Sequence, residues 1–324
     1  MKHSLSVGFF MKASAIFLVI VFFVGTAFNC KSSDIIPSSV NFSECTITTH
    51  QKVGILIAKN AKLASVDVSD SAHLENTTTS GLLDVLGKLT CKNCKLESVT
   101  KIGSGEIEHT TIQNQFRSTG STTARTCSFS SYNGCGPLHF EGTTVEQKIK
   151  NIGHTTLVGG KCHALGVTGS VDARDIACEN ADITGKTTLT NSTINGKANI
   201  VGKTKISTAT IINLVIVGQT TATHLEATTI DVTGNLDAKT VDCEKLTLAT
   251  KESTLSDCSI DTLFVKKQKH GIKITIYNSP KAPQSLVRRI ICEDPRTQIV
   301  YKDNSLRAEE ISGTQRVTPV VPAQ

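Results

Sequence analysis

The chain has 324 residues and a formal charge of +6, from 34 Lys and Arg against 28 Asp and Glu. No Lys/Arg run follows the N-terminal segment, so the sequence lacks the electrostatic footprint of a nucleic-acid binder. It has no Trp and only three Tyr, which removes the aromatic platform on which sugar rings stack.

The N-terminus reads as an export signal, residues 1–29. Lys2 and Lys12 precede an uncharged run from Ala13 to Ala27 that contains IFLVIVFFV. That run is shorter than the ~20 residues a spanning helix needs, which favours a signal peptide over an anchor. Two processing readings stay open. Gly25-Thr26-Ala27 offers the small residues that an ordinary signal peptidase reads. Cys30 just beyond the run suggests lipidation, although Phe28-Asn29 departs from a small-residue lipobox. Either route places the protein outside the cytoplasm, in the periplasm, the outer membrane or on the cell surface. A membrane contact is expected only through a lipid on Cys30. Removing 1–29 takes away two lysines and no acid, so the charge falls from +6 to +4. Residues 30–37 form a polar lead containing Pro37.

A short repeat then takes over. Its markers are Gly54, Asp70, Gly87, Gly103, Gly120, Gly136, Gly153, Gly169, Gly185, Gly202, Gly218, Gly234 and Lys251, with a weaker one at Ser38. Every interval between successive markers is 16 or 17. A short fixed period means stacked units, none of which can bury its apolar face alone. Counted from each marker, apolar or small residues recur at +2/+4, +7/+9 and +12/+14, as in Leu236/Ala238, Val241/Cys243 and Leu246/Leu248. An apolar-x-apolar pair is the shortest period-2 signature of a strand. Three pairs per repeat describe a triangular coil, and the stacked coils make three parallel sheets around a narrow core. Helical repeats need longer units and apolar spacings of three and four, so they are excluded. The expected fold is all-β: a single-stranded right-handed parallel β-helix of about 14 coils over 38–266. The +12/+14 side is irregular before Gly153, where bulges or loops are expected, and 127–152 is expected to protrude.

At Lys266-Lys267-Gln268-Lys269 the pattern breaks. The simple alternation Ile272/Ile274/Ile276 and the segments SLVRRIIC and TQIVY suggest a small antiparallel β cap over 267–312, protecting an open sheet edge. Residues 313–324 are expected to be a disordered tail.

Eight of the eleven cysteines fall in inward columns: Cys45, Cys94, Cys127 and Cys258 at +7, Cys162, Cys178 and Cys243 at +9, and Cys91 at +4. Free cysteine there behaves as a small hydrophobe. Cys91-Lys92-Asn93-Cys94 resembles half a zinc site, but no second pair or His stands at suitable spacing, so no metal or other cofactor is expected. Cys162 and Cys178 are neighbours on adjacent coils and are the best disulfide candidates. Threonines at inward +2 (Thr122, Thr155, Thr187, Thr204, Thr220) need hydrogen-bond partners. An ice-binding array would need a flat outward Thr-x-Thr face, and the outward +1 column is too mixed for one. His109 and His224 share position +6 but lie seven coils apart, and no residue stands out as catalytic.

The stretch 153–265, with TGSVDARDIACENADITGKTTLTNSTINGKANIVGKTKI and VTGNLDAKTVDCEKLTL, resembles the bactofilin family. That resemblance implies a right-handed triangular β-helix and a polymer-forming scaffold. The chain departs from it in its export signal and in having about twice the usual coil number. Ile102-Gly103-Ser104-Gly105-Glu106-Ile107 and Ile276-Tyr277-Asn278-Ser279-Pro280 resemble exported adhesins of the head GIN domain type. The functional expectation is an exported, non-enzymatic solenoid acting as envelope scaffold, adhesin or self-assembling rod, with itself or an envelope component as partner. The rival is a carbohydrate-binding or polysaccharide-lyase-like β-helix. Coils this short leave little beyond strands and tight turns to hold catalytic loops.

Overall fold

The structure is a computed structural model that describes 38–277, 286–301 and 308–319, together with the backbone of the strand Ile20–Val24. The expected signal peptide otherwise lies outside the described residues. The described chain contains strands and no helix, and it winds as a right-handed β-solenoid of about 17 coils. At ~4.8 Å per coil the stack is ~80 Å long. Every pairing between the described strands is parallel, from Ile20–Val24 against Ser39–Ser43 to Gln298–Tyr301 against Arg316–Pro319.

The columns follow the register read from the sequence. At +4, Phe42, Ala58, Leu74, Cys91, Ile107, Ala124 and Phe140 are all buried, as are Ile47, Leu63, Leu96, Ile112 and Phe129 at +9. A slip of one residue would turn every one of these side chains outward, so burial fixes the register of each coil on the last.

Each coil turns at three chemically different corners. The marker glycines hold φ between +103° and +142° from Gly103 to Gly234. A Cβ there would run into the carbonyl of the equivalent glycine one coil earlier, as at Gly185 against Gly169. Both facts demand glycine. The backbone ladder also continues across this corner: Gly185 N donates to Val201 O at 2.7 Å and Gly202 N to Val217 O at 2.8 Å.

The second corner, at +6, is a single left-handed residue. Glu44, Asn60, Asn76, Asn93, His109, Thr126, Asp175, Asn191, Thr208, His224, Thr240 and Asp257 all have φ of 48–56°. Non-glycine residues rarely adopt this region, and Asn, Asp and His tolerate it best. The side chain at +7 then turns inward, and where it is Thr, Ser or Cys it can donate to the carbonyl two residues back. Thr110 Oγ1 reaches Glu108 O at 2.8 Å and Ser192 Oγ reaches Thr190 O at 2.9 Å. Cysteine does the same: Cys94 Sγ donates to Lys92 O at 3.2 Å, Cys127 Sγ to Arg125 O at 3.2 Å and Cys258 Sγ to Ser256 O at 3.1 Å. Cysteine at +7 thus stands in for a hydroxyl.

The third corner lies between +9 and +12 and, in the longer coils up to Gly202, absorbs their extra residue. Pairing shifts register there between Ile112 and Gln115, Phe129 and Tyr132, Val145 and Lys148, Cys178 and Ala181, and Ile194 and Lys197. This bulge explains the irregular +12/+14 columns. It also corrects the expected protrusion at 127–152, which forms the strands Ser128–Cys135 and Leu138–Glu141 and the start of Thr144–Val158. The interior there is aromatic. Phe116, Phe129, Tyr132 and Phe140 meet edge to face at 5.1–5.5 Å between ring centroids. A Cβ at Gly134 would land on the Tyr132 phenol.

The C-terminal region departs from expectation more deeply. Lys273–Tyr277 pairs in parallel with Glu252–Ser256, Leu286–Cys292 with Ser259–Val265, and Glu310–Ser312 with Leu286–Cys292. The described strands of 267–312 therefore form no antiparallel cap. The solenoid continues in longer coils, and Arg316–Pro319, expected in the tail, is a strand of it. Insertions at the corners break the sequence period, while the inward alternation Ile272/Ile274/Ile276 keeps feeding the same core.

Two substitutions test this account. Gly185→Ala forces a side chain into a strained φ and a backbone carbonyl, and should lower unfolding free energy by at least about 3 kcal/mol in chemical denaturation. The buried hydroxyls of Thr187, Thr204 and Thr220 have no partner in the structure. Thr204→Val should therefore leave stability unchanged or raise it by about 1 kcal/mol; a clear loss would mean that the hydroxyl is satisfied.

Candidate ligand groove

Cys30 lies outside the described residues. Cys162 and Cys178 stand directly opposite each other on adjacent coils, both buried and both free thiols. The hydrogen bond between them, together with burial, holds the Cys162 thiol well above its ordinary range. Cys91, Cys94 and Cys127 are likewise buried free thiols, and Thr110 Oγ1 stands 3.7 Å from Cys91 Sγ. Burial pushes Cys127, Cys258 and Cys292 up to about 11 and Cys243 up to about 12. Thiols so placed are poor nucleophiles at neutral pH. Cys135 is exposed.

The core also holds an ammonium group, which sequence reasoning missed. Lys101 occupies an inward +14 position and is 1 % exposed. Its Nζ donates to Gly103 O at 2.8 Å and Ser121 O at 2.9 Å. Burial lowers its pKa to about 8. Nearby interior positions are polar too. Ser118 and Thr122 share a 2.7 Å hydrogen bond, and Asn151 Nδ2 donates to Thr155 Oγ1 at 2.9 Å. The sequence signal was available, since a lysine stood where the column calls for an apolar residue.

On the outside, a groove of about 450 Å³ runs along the left-handed corner between residues 191 and 259. One wall is the corner row Asn191, Thr208, His224, Thr240 and Asp257. The other is the outward +8 row Thr193, Thr210, Glu226, Asp242 and Ser259, each in register with the next. Ser192, Ala209, Leu225 and Val241 form the floor. The lining carries three carboxylates and one imidazole, and no Lys or Arg. It offers hydroxyl donors and carboxylate acceptors at ~4.8 Å intervals along the axis. Such an arrangement suits hydrogen bonding to an extended polar chain. Its two rows were visible as columns in the sequence, but the concavity between them was not.

Linkage fixes the pH response of the core. A thiol whose folded pKa lies above its unfolded value of 9.0 contributes stability that is present below pH 9 and lost as pH rises towards 11–12. Lys101, depressed from 10.5 to about 8, acts oppositely, adding stability as pH rises through that window. Several thiols outweigh one lysine. Unfolding free energy should therefore fall between pH 9 and 10 by roughly 1 kcal/mol for each thiol raised to about 11 or 12, and Lys101→Met should fall more steeply than wild type. A flat or rising profile across that interval would contradict the buried thiols.

No family model, curated protein or solved structure matches this chain.

Proposed function

We propose that the protein is an exported, non-enzymatic β-solenoid that works through its surface, as a cell-envelope scaffold, adhesin or self-assembling rod. The observation that carries this reading is the uninterrupted stacking itself. From 38 to 265 the outward side chains stand on strands and tight corners in parallel register, so the molecule presents long, fixed rows of side chains. Rigid rows of this kind suit repetitive partners, including further copies of the rod. A parallel stack also ends in strand edges able to pair with another chain. The resemblance of 153–265 to bactofilins supports the scaffold form, and the N-terminal apolar run supports export.

A second reading is favoured by one specific observation, the groove at 191–259. Its hydroxyl, carboxylate and imidazole lining fits an extended, neutral oligosaccharide lying along the axis, as a carbohydrate-binding solenoid would hold it.

Light scattering of residues 31–324 across a concentration series, with electron microscopy of the same samples, tests the first reading. Filaments or concentration-dependent growth are expected from a self-assembling rod. A monomer at every concentration would remove self-assembly and leave an adhesive surface. For the second reading, Thr210→Arg fills the middle of the groove and should abolish binding to a glycan array without changing the melting temperature. Absence of glycan binding by the wild type would remove that reading.

A further inference from the structure

The net charge of the chain is concentrated at one end. Residues 262–324 contain 11 of the 34 Lys and Arg but only 5 of the 28 Asp and Glu, so they carry +6 and the preceding 261 residues balance to zero. The change begins where the repeat is interrupted. After Val265 the chain takes seven residues, 266–272, to reach the next strand at Lys273, whereas the same corner one coil earlier takes two, 250–251. The inserted sequence is Lys266-Lys267-Gln268-Lys269-His270.

This corner is clamped from the coil beyond it. Arg296 Nη2 donates to Gln268 O at 2.9 Å and Nη1 to Lys269 O at 3.3 Å. Arg296 is itself fixed by Asp294, through Nε to Oδ1 at 3.0 Å and Nη2 to Oδ2 at 2.8 Å. Those hydrogen bonds hold the Asp294 carboxyl down at about 2, and its side chain is 1 % exposed. Lys267 N donates to Glu293 Oε2 at 2.9 Å. The backbone is thus tied down while Lys267, Lys269 and His270 stay exposed. Neighbouring cations are partly neutralised: Lys266 by Asp231, Lys273 by Glu252, and Arg288 by Asp261 and Glu309. Among the described residues, Lys267, Lys269, Arg289 and Arg316 form no ion pair.

We propose that this clamped basic corner docks the C-terminal end of the rod onto a membrane surface rich in anionic phosphate headgroups. The chemistry favours such a surface over a discrete anion. The protruding charges are lysines, compact point charges on flexible stems, without the planar fork that selects one phosphate or carboxylate in fixed geometry. Cations spread over a fixed corner and the coils next to it match a laterally mobile field of negative headgroups, where each basic residue adds a similar increment of attraction. Arg296 commits its fork internally, holding the corner out. The proposal stands independently of the surface function proposed above.

The test is co-sedimentation of the full chain with phosphatidylcholine vesicles, with and without phosphatidylglycerol, at low and high salt. The apolar N-terminal run binds either vesicle alike, so the readout is the ratio of anionic to zwitterionic partitioning. Wild type should prefer anionic vesicles and lose the preference in high salt. Lys267→Glu/Lys269→Glu should reduce the ratio at least about tenfold with an unchanged melting temperature. Lys95→Glu/Lys161→Glu alters net charge identically on distant coils and should retain it. Equal partitioning of wild type to both vesicles, or equal losses in the two variants, would overturn the proposal. So would binding of a sulfated polysaccharide through Lys267 and Lys269 without any preference for anionic vesicles.

Discussion

The close approach of backbone at the marker glycines governs the rest of this molecule. Where a carbonyl of one coil occupies the space a Cβ would take on the next, the separation and rotation between coils have almost no freedom. The amide-to-carbonyl ladder can then run around the corner as well as along the faces. With that one edge fixed, the inward columns fall into line and every strand finds the partner one turn away. The other two corners are less exacting. One accepts Asn, Asp, His, Thr, Glu or Gly, and the other accepts an extra residue.

That hierarchy explains what could be read from the sequence. The glycine spacing and the +4 and +9 columns carry a strong signal because each position faces a single strict requirement. The +12/+14 columns are blurred because the bulge shifts them by one in most longer coils, so Phe116 and Asn151 fall at +13 and +15. Beyond Val265 the regular glycine spacing is lost and corners lengthen. Without its markers the repeat is invisible to spacing, and the alternation at Ile272/Ile274/Ile276 looks like an ordinary hairpin. Only the pairing of Lys273–Tyr277 with Glu252–Ser256 shows that the same wall continues. The groove was less legible still. Its residues belong to two recognised columns, but whether the space between them is concave depends on backbone curvature, which side-chain type does not encode.

The cysteines show how a composition signal can mislead. Their number invites a disulfide framework or a metal site, yet three of those at +7 donate to the same kind of carbonyl that Thr110 and Ser192 serve. The position takes either an apolar residue, as at Leu225 and Val241, or a small side chain with one donor, and an S–H combines the donor with more apolar bulk than an O–H. Lys101 is the opposite case, a residue whose chemistry disagrees with its column. Its stem fills space left by Gly105, where a Cβ would press on the lysine methylenes, and its charge is answered by two carbonyls. A polar stretch of interior is thereby built into an otherwise apolar prism.

The bulged corner has a consequence for how such a chain can form. Because length differences are absorbed there, each strand of the regular coils meets its partner after a single short turn of chain, wherever in the rod it lies. Loop-closure entropy depends on the length of chain closed, so each new coil faces nearly the same entropic barrier as the last. No contact waits for a distant part of the chain to arrive. A chain emerging N-terminus first could wind onto its own growing end, one turn at a time, like thread onto a bobbin.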